Sequence, residues 1–306
     1  MAHLTRRRVV TTALATAAAG AFIPAQAAAA TPTVNTRPRG PRPLARAHAH
    51  NDYLHRRPLH DALAHGFTSV EADIFLVDGH LLVAHEAESL DPARTLVSLY
   101  LDPLAARARA HHGHVHAGHP APLQLLIDIK TDGAATYLEL DRVLRRYRSL
   151  LTRSVHGRVR TGAVTAVVSG DRAARVPMEA QTTRYAFYDG RPEDLGTAAP
   201  ASFTPLISGN WATSFGWQGT GPFPAAERDR LRTFVAAAHA SGQRVRFWGT
   251  PDLAGPAREA VWSELVAADV DHLNTDDLAG LERFLRRREP GSGRNGGAPA
   301  DLTPSP

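Results

Sequence analysis

Between residues 45 and 288, short apolar runs alternate with longer stretches in which apolar positions recur every three to four residues. The short runs fall at 45–50, 69–76, 123–129, 164–169, 184–188, 205–208, 244–248 and 270–274, each of a length that suits a strand buried on both faces. The longer patterns at 58–65, 96–110, 134–151, 171–180, 225–240, 256–267 and 277–287 have helical spacing, and Ser241-Gly242 is a stop signal. Eight strands alternating with helices over roughly 245 residues predict an α/β fold of the (β/α)8 TIM-barrel type, whose usual size is about 250. A doubly wound open sheet is the competing arrangement. No glycine-rich dinucleotide fingerprint follows the first run and the sequence has no P-loop, so the nucleotide-binding version of that sheet is disfavoured.

The flanks read differently. Thr5-Arg6-Arg7-Arg8-Val9-Val10, an uncharged Ala/Thr/Val stretch and Ile23-Pro24-Ala25-Gln26-Ala27 read as an export signal of the twin-arginine type over 1–27, with a Sec signal as the plainer version. Residues 28–45 then read as a linker, 46–288 as the folded body and 289–306 as a disordered tail, and the expected location is secreted. Composition sharpens this. The net charge of +5 suggests a nucleic-acid partner until the seven arginines of residues 1–46 are set aside, which leaves 28 basic against 30 acidic residues. A near-neutral body gives no concentrated basic surface for a phosphate backbone, so no nucleic acid is expected. The chain has no cysteine, which excludes disulfides, thiolate metal sites and cysteine nucleophiles.

The remaining chemistry uses oxygen and nitrogen. Glu71 and Asp73 lie two apart in the second run and so share one face of a strand. Two acids on an inward face repel unless a cation neutralises them, and hard oxygen ligands suit one divalent ion, Mg²⁺ or Ca²⁺. A solvent-facing acidic strand or an arginine-paired structural site is the bland alternative. Asp78-Gly79 between apolar flanks predicts a hairpin that returns the chain to His85, beside the acids. His48 and His50 close the first strand, and one of them is expected to face the same mouth. A histidine on each side of a metal-held phosphate is the arrangement that acid–base displacement at phosphorus requires. Asp128 and Lys130 repeat the two-residue spacing at the end of the third strand. Lys130 is the only lysine beside 34 arginines, which suggests that a compact ammonium is needed there.

The stretch from His50 to His85, followed by Asp128-Ile129-Lys130, resembles the glycerophosphodiester phosphodiesterase and phosphatidylinositol-specific phospholipase C-like superfamily. The wording Ala49-His50-Asn51-Asp52-Tyr53, Gly66-Phe67-Thr68-Ser69-Val70-Glu71-Ala72-Asp73 and Asn274-Thr275-Asp276-Asp277-Leu278 is most similar to its bacterial, "altered inheritance of mitochondria"-type branch. That resemblance implies a (β/α)8 barrel in which His50 and His85 are general base and acid, Glu71, Asp73 and Asp128 hold one divalent cation, and Lys130 helps neutralise the phosphate. It also implies cleavage of a glycerophosphodiester, lysophospholipid or phosphoinositide-like substrate by attack of a neighbouring substrate hydroxyl, with transient contact at a membrane surface and no protein partner. His50-Asn51-Asp52 replaces the usual His-Arg-Gly, the third acid is Asp where Glu is common, and Glu86 follows His85. These departures leave the substrate open.

Trp248, Asn274 and Asn210, at later strand ends, are weaker candidates for substrate contact, and Asp189 joins them. The histidine-rich segment 111–119 reads as a solvated loop. Two other functions remain in play: a different metal hydrolase of amidohydrolase type, suggested by His48-x-His50 and needing further histidines such as His156, His239 and His272, and a non-catalytic secreted barrel that binds lipid head groups or sugars.

Overall fold

The computed structural model describes residues 40–197 and 199–289. The expected export signal, the first part of the linker and nearly all of the tail lie outside these residues. Eight parallel strands form the barrel: β1 (Leu44–Ala49), β2 (Phe67–Val77), β3 (Leu123–Ile129), β4 (Val164–Gly170), β5 (Ala186–Gly190), β6 (Leu206–Asn210), β7 (Arg244–Trp248) and β8 (His272–Thr275). They pair in sequence order, and β8 closes on β1 and β1 on β2. The (β/α)8 expectation therefore holds. The first strand begins at Leu44, inside the segment read as linker.

Helices follow most strands: α1 (His60–Ala64), α2 (Asp102–Ala110), α3 (Gly133–Arg146), α4 (Arg175–Glu179), α5 (Trp211–Ser214), α6 (Ala225–Ala240), α7 (Pro256–Ala267) and α8 (Leu278–Arg288). Local signals set their ends. Asp132 accepts from Ala135 N at 2.8 Å to open α3, and Asp277 accepts from Gly280 N at 2.9 Å to open α8, each satisfying an otherwise orphaned amide. Helix α6 stops where Gly242 takes φ +71, a conformation that costs glycine nothing. None of the described helices is long and apolar enough to cross a membrane.

The main apolar core lies between strands and helices, whereas Leu126, Val167, Phe187 and Leu206 make a separate cluster from β3 to β6. These four alternate with residues that face the helices, so they fill half of the barrel interior. The other half is polar and carries His48, Ser69, Gln124 and His272, all buried. The Asp78-Gly79 turn has positive φ at both residues, as a two-residue hairpin requires, and the strand His80–Val83 returns antiparallel along β2.

Two features were not legible from the pattern. Strand β5 starts two residues later than expected, because Thr183–Arg184 belongs to a small three-stranded sheet with Arg153–Val155 and Arg158–Arg160. In the segment 111–119, His116 is buried and its Nε2 donates to Phe67 O at 2.9 Å, so that loop is not wholly solvated.

Phe187 is 2% exposed and plugs the apolar half of the interior. Phe187→Ala should lower unfolding stability by about 3–5 kcal/mol, read by urea denaturation, because the closed barrel cannot collapse onto the space.

Candidate active site

The C-terminal ends of the strands surround a cavity of about 250 Å³. Its walls include His50, Glu71, Asp73, His85, Asp128, Lys130, Asp189 and Trp248 from the sequence reading, and Asn51, Ser169, Arg191 and Arg246 beside them. His50 faces the cavity and His48 is buried beneath it. Trp248 is 38% exposed and walls the mouth. Asn210 and Asn274 do not line the cavity. Asn210 Oδ1 is used to cap α5, accepting from Ala212 N at 2.9 Å, and Asn274 is buried near the end of β8.

Charge arrangement dominates the site. Lys130 Nζ lies between Asp73 Oδ2 (3.0 Å) and Asp128 Oδ1 (3.1 Å), so the lone lysine bridges two of the three acids. Arg246 Nη1 lies 3.0 Å from Glu71 Oε2, and His48 Nε2 lies 3.1 Å from the same oxygen. Burial opposes ionisation of Glu71, but the Arg246 charge and the His48 hydrogen bond outweigh it and hold the carboxyl well below its usual range. Asp73 goes the other way. Burial and the Glu71 charge push it up to about 6 despite Lys130 and the Tyr53 hydroxyl, which donates to Oδ2 at 2.6 Å.

Each acid is thus gripped by one oxygen. Asp73 Oδ1 is buried without a hydrogen-bond partner, and no hydrogen bond among the described residues engages Glu71 Oε1 or Asp128 Oδ2. An orphaned carboxylate oxygen in a cavity of acids fits a hard cation. With Lys130 and Arg246 drawn in, no three histidine, aspartate or glutamate side chains among the described residues already close around one ion.

Both cavity histidines have a carboxylate on Nδ1: Asp276 on His50 (2.8 Å) and Glu86 on His85 (2.7 Å). A carboxylate only accepts, so the Asp276 hydrogen bond places the His50 proton on Nδ1 and leaves its Nε2 open to the cavity, while Glu86 makes an ion-pair contact with His85. Burial lowers His50, but the Asp276 hydrogen bond and the Glu71 charge overcome it and raise its pKa above the ordinary value. Sequence reasoning assigned no role to Asp276, Arg246 or Arg191. Asp276 was findable, since a closed barrel must bring the end of β8 beside the end of β1. The histidines that an amidohydrolase-type site needs are elsewhere: His239 bonds Asp271, His156 lies in a turn, and His272 is under the cavity with Nε2 facing Arg244.

Residues 41–189 match the AIM6-like phosphodiesterase domain, and residues 244–279 match the Glycerophosphoryl diester phosphodiesterase family. The chain is 30% identical over 273 residues to Altered inheritance of mitochondria protein 6 of Eremothecium gossypii, a match that covers 79% of this chain and 69% of that protein. This chain belongs to the AIM6-like phosphodiesterase family. A homolog in Arthroderma benhamiae is 30% identical over 266 residues, covering 78% of this chain and 83% of its own, and the Saccharomyces cerevisiae protein is 25% identical over 272 residues, covering 76% and 68%. These relatives are fungal, where the sequence reading expected a bacterial branch. Of the cavity-lining residues, Arg246 and Trp248 lie in the second matched stretch, Arg191 lies outside both, and the rest fall within the AIM6-like stretch.

One support of the site titrates near neutrality. Asp52 follows the His50-Asn51 corner and is fully buried; its Oδ2 accepts from Leu59 N (2.6 Å) and Tyr100 OH (2.8 Å). It thereby holds Leu59, whose φ of +62 is strained for a branched residue. Burial raises Asp52 to about 7 against those two hydrogen bonds. The folded state therefore keeps a proton that the unfolded chain releases near 3.8, and this contribution to stability is lost as pH rises from about 4 through 7. Asp52→Asn should match the wild type below pH 4 and exceed it in stability at pH 8, read by denaturant titration across that range.

Proposed function

We propose that this chain is a metal-dependent phosphoric diester hydrolase whose acid–base pair is His50 and His85. The observation that carries the reading is the set of three acids each held through a single oxygen around one cavity, with a histidine Nε2 free on either side. Charge supports it. Glu71, Asp73, Asp128 and Asp189 against Lys130, Arg191 and Arg246 leave the cavity one negative charge, which repels a phosphodiester anion. Glu71, Asp73 and Asp128 would hold one divalent cation, Mg²⁺ or Ca²⁺, which would reverse that sign and supply positive charge to a bound phosphodiester.

The chain's own groups then do the following. Lys130, whose ammonium is kept charged by Asp128 and Asp73 against the pull of burial, offers its positive charge to the developing phosphorane. A hydroxyl adjacent to the phosphate in the substrate attacks phosphorus while its proton passes to His50 Nε2. The bond to the leaving alkoxide breaks as His85, in its protonated form, delivers a proton from Nε2. The first product is a cyclic phosphate and an alcohol, and proton balance is kept by the exchange of roles between the two rings. Trp248 walls the pocket against the organic part of the substrate. Glycerophosphodiesters, lysophospholipids and phosphoinositide-like diesters share the required neighbouring hydroxyl. Export is proposed on Thr5-Arg6-Arg7-Arg8 and the stretch after it, with residues 1–27 absent from protein recovered in culture medium as its check.

Hydrolysis of a panel of such diesters should be abolished by EDTA and restored by Mg²⁺ or Ca²⁺. His50→Ala and His85→Ala should each lower kcat by on the order of 10²–10⁴-fold. Because His50 acts as a base with a raised pKa, kcat/KM should fall on the acid side from a point above pH 6.5. Undiminished turnover in both histidine variants overturns the mechanism, and no cleavage of any diester favours a binding barrel.

A further inference from the structure

Under the cavity, the polar half of the barrel interior contains a chain of contacts whose direction is set by chemistry alone. Arg244 on β7 has only donors, and its Nη2 lies 2.7 Å from Gln124 Oε1 on β3. The Gln124 amide must therefore turn its nitrogen the other way, where Nε2 donates to Ser69 Oγ at 2.9 Å. Ser69 has one proton. With its oxygen accepting from Gln124, that proton goes to His48 Nδ1 at 2.7 Å. Nδ1 is thus an acceptor, so the neutral ring carries its proton on Nε2, which faces Glu71 Oε2 at 3.1 Å. Both ring nitrogens of the completely buried His48 are thus engaged.

We propose that Arg244, Gln124 and Ser69 act through His48 as a one-way hydrogen-bond relay that pins Glu71 by Oε2 and leaves Oε1 to the cavity. None of the four lines the cavity, so all are positioning residues. Aligned bonds in a buried chain polarise one another, and every member here donates toward the carboxylate. The far end of the relay is at the opposite mouth of the barrel, where Arg244 borders a hollow of about 320 Å³ with Arg46, Asp269, Asp271 and His272. The consequence for the cation rests on the proposed role of Glu71 as a ligand.

Gln124→Glu tests direction without changing shape. The new carboxylate still pairs with Arg244 but has no proton for Ser69, so Ser69 turns its own proton toward residue 124 and His48 loses its donor at Nδ1. Ring-nitrogen NMR should show His48 in the Nε2–H form in the wild type and out of it in Gln124→Glu. Calorimetric titration with Mg²⁺ or Ca²⁺ should show Kd weaker by on the order of 10–100-fold in Gln124→Glu and in Ser69→Ala, the usual effect of removing a group that orients a metal ligand. A wild-type His48 protonated on Nδ1 overturns the relay, and that measurement needs no variant to fold. An unchanged ring in Gln124→Glu also overturns it, as does a changed ring with unchanged Kd. If the wild type binds neither cation yet its ring states behave as stated, Glu71 as a ligand fails and the relay stands.

Discussion

Like charges crowded at one end of a barrel are the constraint from which the rest of this structure follows. Glu71, Asp73 and Asp128 sit on two adjacent strands in register, Asp73 directly beside Asp128, and all three border one small cavity. A buried carboxylate without a partner costs several kcal/mol, so every neighbouring choice of side chain answers to that cost. Lys130 reaches between two of the acids, Arg246 and His48 converge on the third, and the Tyr53 hydroxyl is directed onto Asp73. Charge near the cavity is nearly balanced but not cancelled. The surplus acid and the unpaired Asp73 oxygen distinguish this arrangement from a structural ion-pair network, in which every oxygen finds a donor.

The cavity-lining strand ends were legible where the information is local. Glu71-x-Asp73 and Asp128-x-Lys130 follow from the period of two along a strand, and the return of His85 follows from Asp78-Gly79. The solitary lysine could be picked out by composition alone. Contacts made by closing the sheet were not legible. Arg246 reaches Glu71 from β7, and Asp276 reaches His50 across 226 residues. Neither has a local pattern, because each depends on which strands become neighbours when the barrel shuts. Asn210 was misread for a related reason. A polar residue at a strand end can cap the following helix as readily as it can meet a ligand, and here the short helix α5 takes its oxygen. The three-stranded sheet escaped notice because its strands are two or three residues long and rich in arginine, with no run of alternating apolar positions.

The interior explains how one barrel carries both stability and chemistry. Leu126, Val167, Phe187 and Leu206 fill the side under β3 to β6 and exclude water there. Under β1, β2, β7 and β8, where Glu71 and His50 must be aimed, an apolar filling would leave the carboxylate gripped from above only. Polar side chains replace it, and most of them are satisfied in sequence: Gln124 uses both ends of its amide, Ser69 both accepts and donates, and His48 uses both ring nitrogens. Such a network is costly if any member is missing, since each remaining group is then buried without a partner.

That cost also accounts for where strain is tolerated. The corner after β1 carries His50 and Asn51, and Asn51 has φ +47 while Leu59, eight residues on, has φ +62. Asparagine tolerates the left-handed region, whereas the Leu59 conformation is strained for a bulky branched residue. Each has a polar partner beside it: Asn51 Oδ1 lies 2.8 Å from the Tyr53 hydroxyl, and Leu59 N donates to Asp52. Tyr53 touches Asn51 and Asp73 at once, so the loop that carries His50 and the strand that carries the acids share one hydroxyl. His50 is therefore linked to Asp73 through Asn51 and Tyr53, a short path beside the cavity rather than one through the whole fold.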